Sequence, residues 1–204
     1  MTIESEAKAV AGPPPLLPPS PSAGPARHTA RWAGLGALII CAGLVAVLAT
    51  RPSATVTEAQ SPLVSRSAPL VSGKTITGGT FSLPARPGRY IVLNFFASWC
   101  EPCQAEGPAL VAFQFQHQRT GDASLISVVF DDTVGAATSY QEQLGARWPT
   151  LVDPDHQLAL SFGVRAPPST FVIAPDGRVV AYIIGPVTAA DLDQIIARAE
   201  ASHP

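Results

Sequence analysis

Hydrophobic positions fall into two zones along the chain. Near the N-terminus one run, Trp32 to Thr50, holds 19 residues with no charged side chain between Arg31 and Arg51. From Tyr90 onward the apolar runs are shorter and alternate with turn residues. Tyr90-Ile91-Val92-Leu93-Asn94-Phe95-Phe96 is apolar on both faces, as a central parallel strand is. Cys103 to about Arg119 reads as a helix, bent near Pro108. Leu125 to Phe130 reads as a second buried strand, and Val134 to Leu144 as a helix. Leu158 to Phe162 reads as a short helical turn. Ser169 to Ala174 and Val179 to Ile184 flank Pro175-Asp176-Gly177-Arg178, a hairpin signal. Ala189 to Ala201 closes the chain as a helix, with Thr188 or Asp191 near its start. Upstream, Thr75 to Leu83 contains Gly78-Gly79 and predicts a short hairpin. Arg86-Pro87-Gly88-Arg89 is a turn.

The predicted order is hairpin, β, α, β, α, β, β, α. Strand-helix-strand units imply right-handed crossovers and parallel pairing. The last two strands pair antiparallel. The expectation is an α/β domain: a mixed central sheet with helices on both faces and an N-terminal hairpin extension.

The N-terminal zone cannot supply such a core. Residues 12 to 25 are mostly Pro, Ser, Gly and Ala, so 1–31 reads as a polyproline-II-like or disordered tail, serving as a spacer or a Pro-rich docking motif. The run 32–50 is long enough to span a bilayer as a helix. A buried core helix would find nothing in residues 1 to 70 to cover it. A cleaved signal peptide remains an alternative, because Val47-Leu48-Ala49 resembles a cleavage site. The charged leader and apolar run are both long for one, which favours an uncleaved anchor in the lipid bilayer. Cys41 reads as a lipid-facing apolar residue. Arg27 and Arg31 on one side balance Arg51 and Arg66 on the other, so orientation stays open. Residues 51–73 read as a tether, and 74–204 as the globular domain.

Composition narrows the chemistry. The chain has 204 residues with 13 basic and 15 acidic side chains, net −2, and no basic block, which argues against a nucleic-acid partner. Its three cysteines include one CxxC pair, which is no disulfide framework.

That pair, Trp99-Cys100-Glu101-Pro102-Cys103, sits where the central strand turns into a helix. Helix-terminal N–H groups favour a thiolate at Cys100, so Cys100 reads as the exposed attacking sulfur. Cys103, one turn deeper, would resolve the mixed disulfide. Half a zinc site is the alternative, but zinc needs about four ligands; the four histidines are scattered, and no metal is expected. Glu101 puts a negative charge beside Cys100 that opposes the thiolate and makes the pair a better reductant, unless water screens it. Pro102 in the first turn loses no needed donor. Glu106 lies one turn after Cys103 and reads as a proton relay for it or as an ordinary surface charge. Pro168, before Ser169-Thr170-Phe171, can carry a cis bond beside the cysteines or mark an edge. Trp99 covers the site or packs on neighbours.

These motifs together, with Phe162-Gly163-Val164 and Asp176-Gly177, resemble the TlpA/ResA/CcmG type of membrane-anchored thioredoxin-like proteins over about Lys74 to Ile196. The resemblance implies a thioredoxin fold and an extracytoplasmic thiol-disulfide reductase. Its only redox group would be the Cys100–Cys103 disulfide, with no bound cofactor. It implies protein disulfide substrates such as apocytochrome c, re-reduction by a thiol-reducing membrane donor, and a single-pass location in the cytoplasmic (inner) membrane with the C-terminal domain on the periplasmic side. Asn94 matches the buried Asp of cytosolic thioredoxins and cannot handle a proton; in the family a Glu matching Glu106 takes over. Pro168 matches the cis-proline that shapes the substrate groove, together with Trp99, Glu101, Pro102 and Pro167. Pro167 departs from the pattern and, lacking an N–H, cannot donate to an added substrate strand. The rivals are a disulfide-forming oxidant, a thiol peroxidase of the AhpC/TSA kind, and a non-enzymatic copper-handling protein.

Overall fold

The computed structural model describes Ile40, Gly43 and residues 58–202. Two compact units divide the chain, Met1–Ser53 and Ala54–Pro204. Only Ile40 and Gly43 of the first are described, both helical; the expected tail, Cys41 and the rest of the 32–50 span lie outside the described residues. Among the described residues no helix is long and apolar enough to cross a membrane.

The second unit starts with a small antiparallel pair, β1 (Ser72–Lys74) and β2 (Thr80–Ser82). Then follow β3 (Tyr90–Phe96), α1 (Glu101–His117), β4 (Ala123–Val129), α2 (Val134–Leu144), β5 (Thr150–Val152), α3 (Gln157–Phe162), β6 (Ser169–Ile173), β7 (Val179–Ile184) and α4 (Ala189–Ser202). The main sheet runs β5-β4-β3-β6-β7. β3, β4 and β5 are parallel, while β6 and β7 are antiparallel to their neighbours.

Central placement of β3 follows from its composition. Ile91, Leu93 and Phe95 enter one core with Ile126, Val128, Phe171 and α3 residues Leu158 and Phe162. Phe95, Phe162 and Phe171 have ring centroids 5.0–6.1 Å apart, in tilted and edge contacts that add to simple burial. Tyr90 and Val92 face the other way, onto Leu110 and Phe113 of α1 and Leu192 and Ile195 of α4. The strand period of two divides one apolar run between two cores. Asn94, fully enclosed, is the polar exception.

Local chemistry sets the helix ends. Thr133 caps α2, its hydroxyl accepting from the Ala136 N–H at 3.2 Å, and Gly145 ends it at φ 72°. Thr188 and Asp191 both start α4: the Thr188 hydroxyl accepts from the Asp191 N–H, and the Asp191 carboxylate accepts from the Thr188 N–H, a reciprocal cap. His117, near the end of α1, puts its two ring nitrogens 3.0 and 2.9 Å from Asp122 and Asp193. Burial opposes protonation of His117, yet the bonds to Asp193 and Asp122 outweigh it and raise its pKa.

The structure corrects three expectations. β5 is absent from the predicted order; three residues between Pro149 and Pro154 carry too little pattern to announce a strand. The expected hairpin shifts, with Thr75 to Gly79 forming the turn between β1 and β2. The folded part also begins well before residue 74. Ala59, Ser65 and Ala68 donate N–H bonds to Tyr182, Val179 and Gly177, at 2.8–2.9 Å, so 58–68 lies along β7 rather than forming a free tether. Thr75 bridges Leu151, and the Ile76 N–H bonds Thr150. The N-terminal extension thus covers both outer strands of the sheet, whose bare edges would invite pairing with other chains.

Gly177 permits the β6–β7 turn. Its φ is +89°, and a Cβ there would collide with the Ala85 carbonyl oxygen. Left-handed backbone costs a residue with a Cβ about 1–2 kcal/mol, before the collision is counted. Gly177→Ala should therefore lower stability by at least about 2 kcal/mol in guanidinium unfolding. An unchanged midpoint would refute this account of the turn.

Candidate active site

β3 ends at Phe96, and α1 begins at Glu101 after four intervening residues. Cys100 occupies the N-cap with extended dihedrals, φ −81° and ψ 107°. Its sulfur accepts the Cys103 N–H at 3.2 Å, where a Ser or Thr cap would place an oxygen. Pro102 sits in the first turn, where its missing N–H leaves no bond unmade. The helix therefore starts at Glu101 instead of Cys103, because a sulfur serves as its cap. Cys100 and Cys103 are joined in a disulfide with Cα atoms 5.2 Å apart.

Burial corrects one expectation. Cys100 is 4% exposed and Cys103 1%, so in this oxidised form neither sulfur stands out. Both turn inward onto Phe96, Ala97, Val129 and Ala137. Trp99 is 58% exposed, and its indole N–H donates to the Asp131 carbonyl at 3.0 Å; the ring stands at the surface. Glu101 and Pro102 are exposed as well.

Glu106 is only 2% exposed, so the surface-charge reading fails. One carboxyl oxygen accepts from the Asn94 side-chain amide at 2.8 Å, the other from the Val187 N–H at 3.1 Å. Asn94 also donates to the Thr170 hydroxyl at 3.1 Å. Burial disfavours the charged carboxylate, and the bonds from Asn94 and Val187 offset only part of that, leaving the pKa raised to about 7. The carboxyl thus exchanges its proton near neutral pH.

The Pro167–Pro168 bond is cis. Phe95 pairs with Ser169, so the register places Pro168 at the end of the sheet where β3 runs toward the cysteines. The Pro168 carbonyl is engaged by the Gly185 N–H at 3.0 Å, and the Ala166 carbonyl by the Ser169 hydroxyl at 2.8 Å. Sequence reasoning passed over Thr170, Val187 and Tyr140. The Tyr140 hydroxyl donates to the Cys103 carbonyl at 3.0 Å, and burial together with the nearby Glu106 raises its pKa. Val187 acts through its backbone, which no side-chain pattern advertises. Among the described residues no group of three His, Cys, Asp or Glu side chains is placed to hold a metal ion.

Comparison with known proteins agrees with this geometry. The AhpC/TSA family pattern matches residues 64–182. The chain is 31% identical over 111 residues to the thiol-disulfide oxidoreductase ResA of Bacillus subtilis (strain 168), covering 54% of this chain and 62% of that protein, less than two thirds of its length. It is 34% identical over 135 residues to the thiol:disulfide interchange protein DsbE homolog of Paracoccus denitrificans, covering 64% of this chain and 72% of that one. A solved thiol:disulfide interchange protein of the thioredoxin family from Chlorobium tepidum TLS has a TM-score of 0.60 at 27% identity, covering 69% of this chain and 98% of that chain.

The Glu106 environment has a measurable consequence. Its carboxyl moves from 4.5 to about 7 on folding. Between those values the folded state holds a proton that the unfolded state has lost, so stability falls as pH rises across the window. The shift from 4.5 to about 7 corresponds to on the order of 3 kcal/mol. Glu106→Gln should remove that fall: guanidinium unfolding of the oxidised variant should vary much less between about pH 4 and about pH 8 than wild type. An equally steep decline in the variant would assign the effect to another group.

Proposed function

The chain belongs to the AhpC/TSA family of thioredoxin-fold proteins, and on that footing we propose that it is a thiol-disulfide oxidoreductase that reduces disulfides in other proteins. The observation that carries this reading is the Cys100 sulfur at the α1 N-cap, paired with Cys103 in a disulfide.

In the reduced protein the N-terminal N–H groups and dipole of α1 favour a thiolate at Cys100. That thiolate attacks one sulfur of a target disulfide, whose other sulfur leaves as a thiolate. A mixed disulfide between Cys100 and the target results. Cys103, deprotonated, then attacks the Cys100 sulfur, closing the Cys100–Cys103 bond and releasing the second target sulfur. Two electrons and two protons pass to the target. Glu106, one helical turn beyond Cys103 and poised near neutrality, takes the Cys103 proton and returns it to solvent or to a leaving sulfur. Asn94 holds Glu106 in place. Trp99, Pro167 and Pro168 border the path by which a target strand approaches.

The same reading places the domain outside the cytoplasm, anchored through 32–50 on the periplasmic side of the inner membrane, where thiols tend to oxidise. The target is an exported protein such as apocytochrome c, and a thiol-reducing membrane donor restores the dithiol. The uncharged apolar run 32–50 supports the anchor, and the relatives, a thiol-disulfide oxidoreductase and a thiol:disulfide interchange protein, support the exchange chemistry.

Reduced wild-type protein should cleave an accessible protein disulfide, and Cys100→Ser should not. Cys103→Ser should accumulate the mixed disulfide, whose partner mass spectrometry identifies. The reduction potential should lie below the roughly −180 mV of protein disulfide isomerase. A potential near the roughly −120 mV of strong oxidants, or peroxide turnover without disulfide cleavage, would overturn the reductase reading. Recovery of cytosolic partners alone would overturn the orientation.

A further inference from the structure

The turn after β4 reaches back to the cysteine loop. The Phe130 N–H bonds the Phe96 carbonyl at 2.8 Å. Asp131 takes a left-handed φ of 48°, and its carbonyl receives the Trp99 indole N–H. Asp132 follows, half-buried. One oxygen of its carboxylate accepts the Ser98 N–H at 2.7 Å, and the other accepts the Thr133 N–H at 2.7 Å. A carboxylate is thus fixed from two sides on the backbone two residues before Cys100. The Gln104 side chain bonds the Ser98 carbonyl at 2.7 Å, so Ser98 is gripped through both its N–H and its C=O.

We infer that Asp132 is a positioning residue that holds the Ser98–Cys100 segment against α1, and that its negative charge keeps the cysteine pair reducing. Opening the disulfide places negative charge at Cys100. A partly desolvated carboxylate fixed on the Ser98 backbone, two residues before Cys100, makes that charge costlier than it would be in water. The dithiol form is then less favoured and gives up its electrons more readily. Glu101 is nearer in sequence but exposed, where water and salt screen it; the Asp132 charge is the one held in place.

This inference rests on the thiol-disulfide reading, and its test separates the two. Wild type and Asp132→Asn are equilibrated with reduced and oxidised glutathione. The asparagine keeps an oxygen for the Ser98 N–H while removing the charge. The equilibrium should move roughly tenfold toward the dithiol, about 30 mV for a two-electron couple. Iodoacetamide alkylation of Cys100 should begin at lower pH in the variant. Asp132→Ser, which offers a hydroxyl acceptor without charge, should shift the same way and serves if the asparagine variant does not fold. An unchanged equilibrium in the folded variant, or a shift toward the disulfide, overturns the role of Asp132. Failure of the wild type itself to exchange with glutathione overturns the thiol-disulfide reading instead.

Discussion

The carboxyl of Glu106 is the contact on which the site depends. It lies in a nearly dry space between β3 and α1, meets Asn94 from the sheet, and takes the Val187 N–H just before α4. Asn94 passes the link to Thr170 on β6. Four segments thus converge on one acid. Left unpartnered, a carboxylate at that depth would be untenable. Two donors make it tolerable without making it comfortable, so its pKa stays raised, to about 7. Side-chain networks of this kind hold a geometry firmly while every member is satisfied.

Above that acid, the fold turns a sulfur into part of a helix. Because Cys100 caps α1 through the Cys103 N–H, the cap and the disulfide share one helical turn. The same N-terminus that needs a cap favours a thiolate. On the far side, the turn after β4 ties Ser98 and Trp99 down through Asp132 and Asp131. The reactive loop is therefore held from beneath by α1 and from the side by a turn that contributes no sulfur.

Legibility in the sequence followed the strength of local pattern. β3 and β7 were readable because a long apolar run and a turn signal mark them. β5 was not, because three residues between prolines form a strand only when β4 is beside them. Residues 58–68 read as linker because Ser, Ala and Pro composition says nothing of a backbone that bonds β7. Glu106 was visible as one turn from Cys103, but its burial depends on Asn94 and Val187, which are 12 and 81 residues away. The expected exposure of Cys100 failed because both cysteines pack into a cluster with Phe96 and Val129, which the local sequence does not reveal.

Taken alone, the amino-acid order determined the redox pair, the strand and helix that carry it, and an α/β architecture, since each rests on contacts within about ten residues or on the apolar period of a single element. Only the tertiary structure decided which carboxylates are held in place. Glu101, beside the thiol in the chain, ends in water, whereas Glu106 and Asp132 are drawn inward by donors from distant segments. Desolvation and long-range hydrogen bonding set the behaviour of a charge, and both appear only once the chain has closed around it.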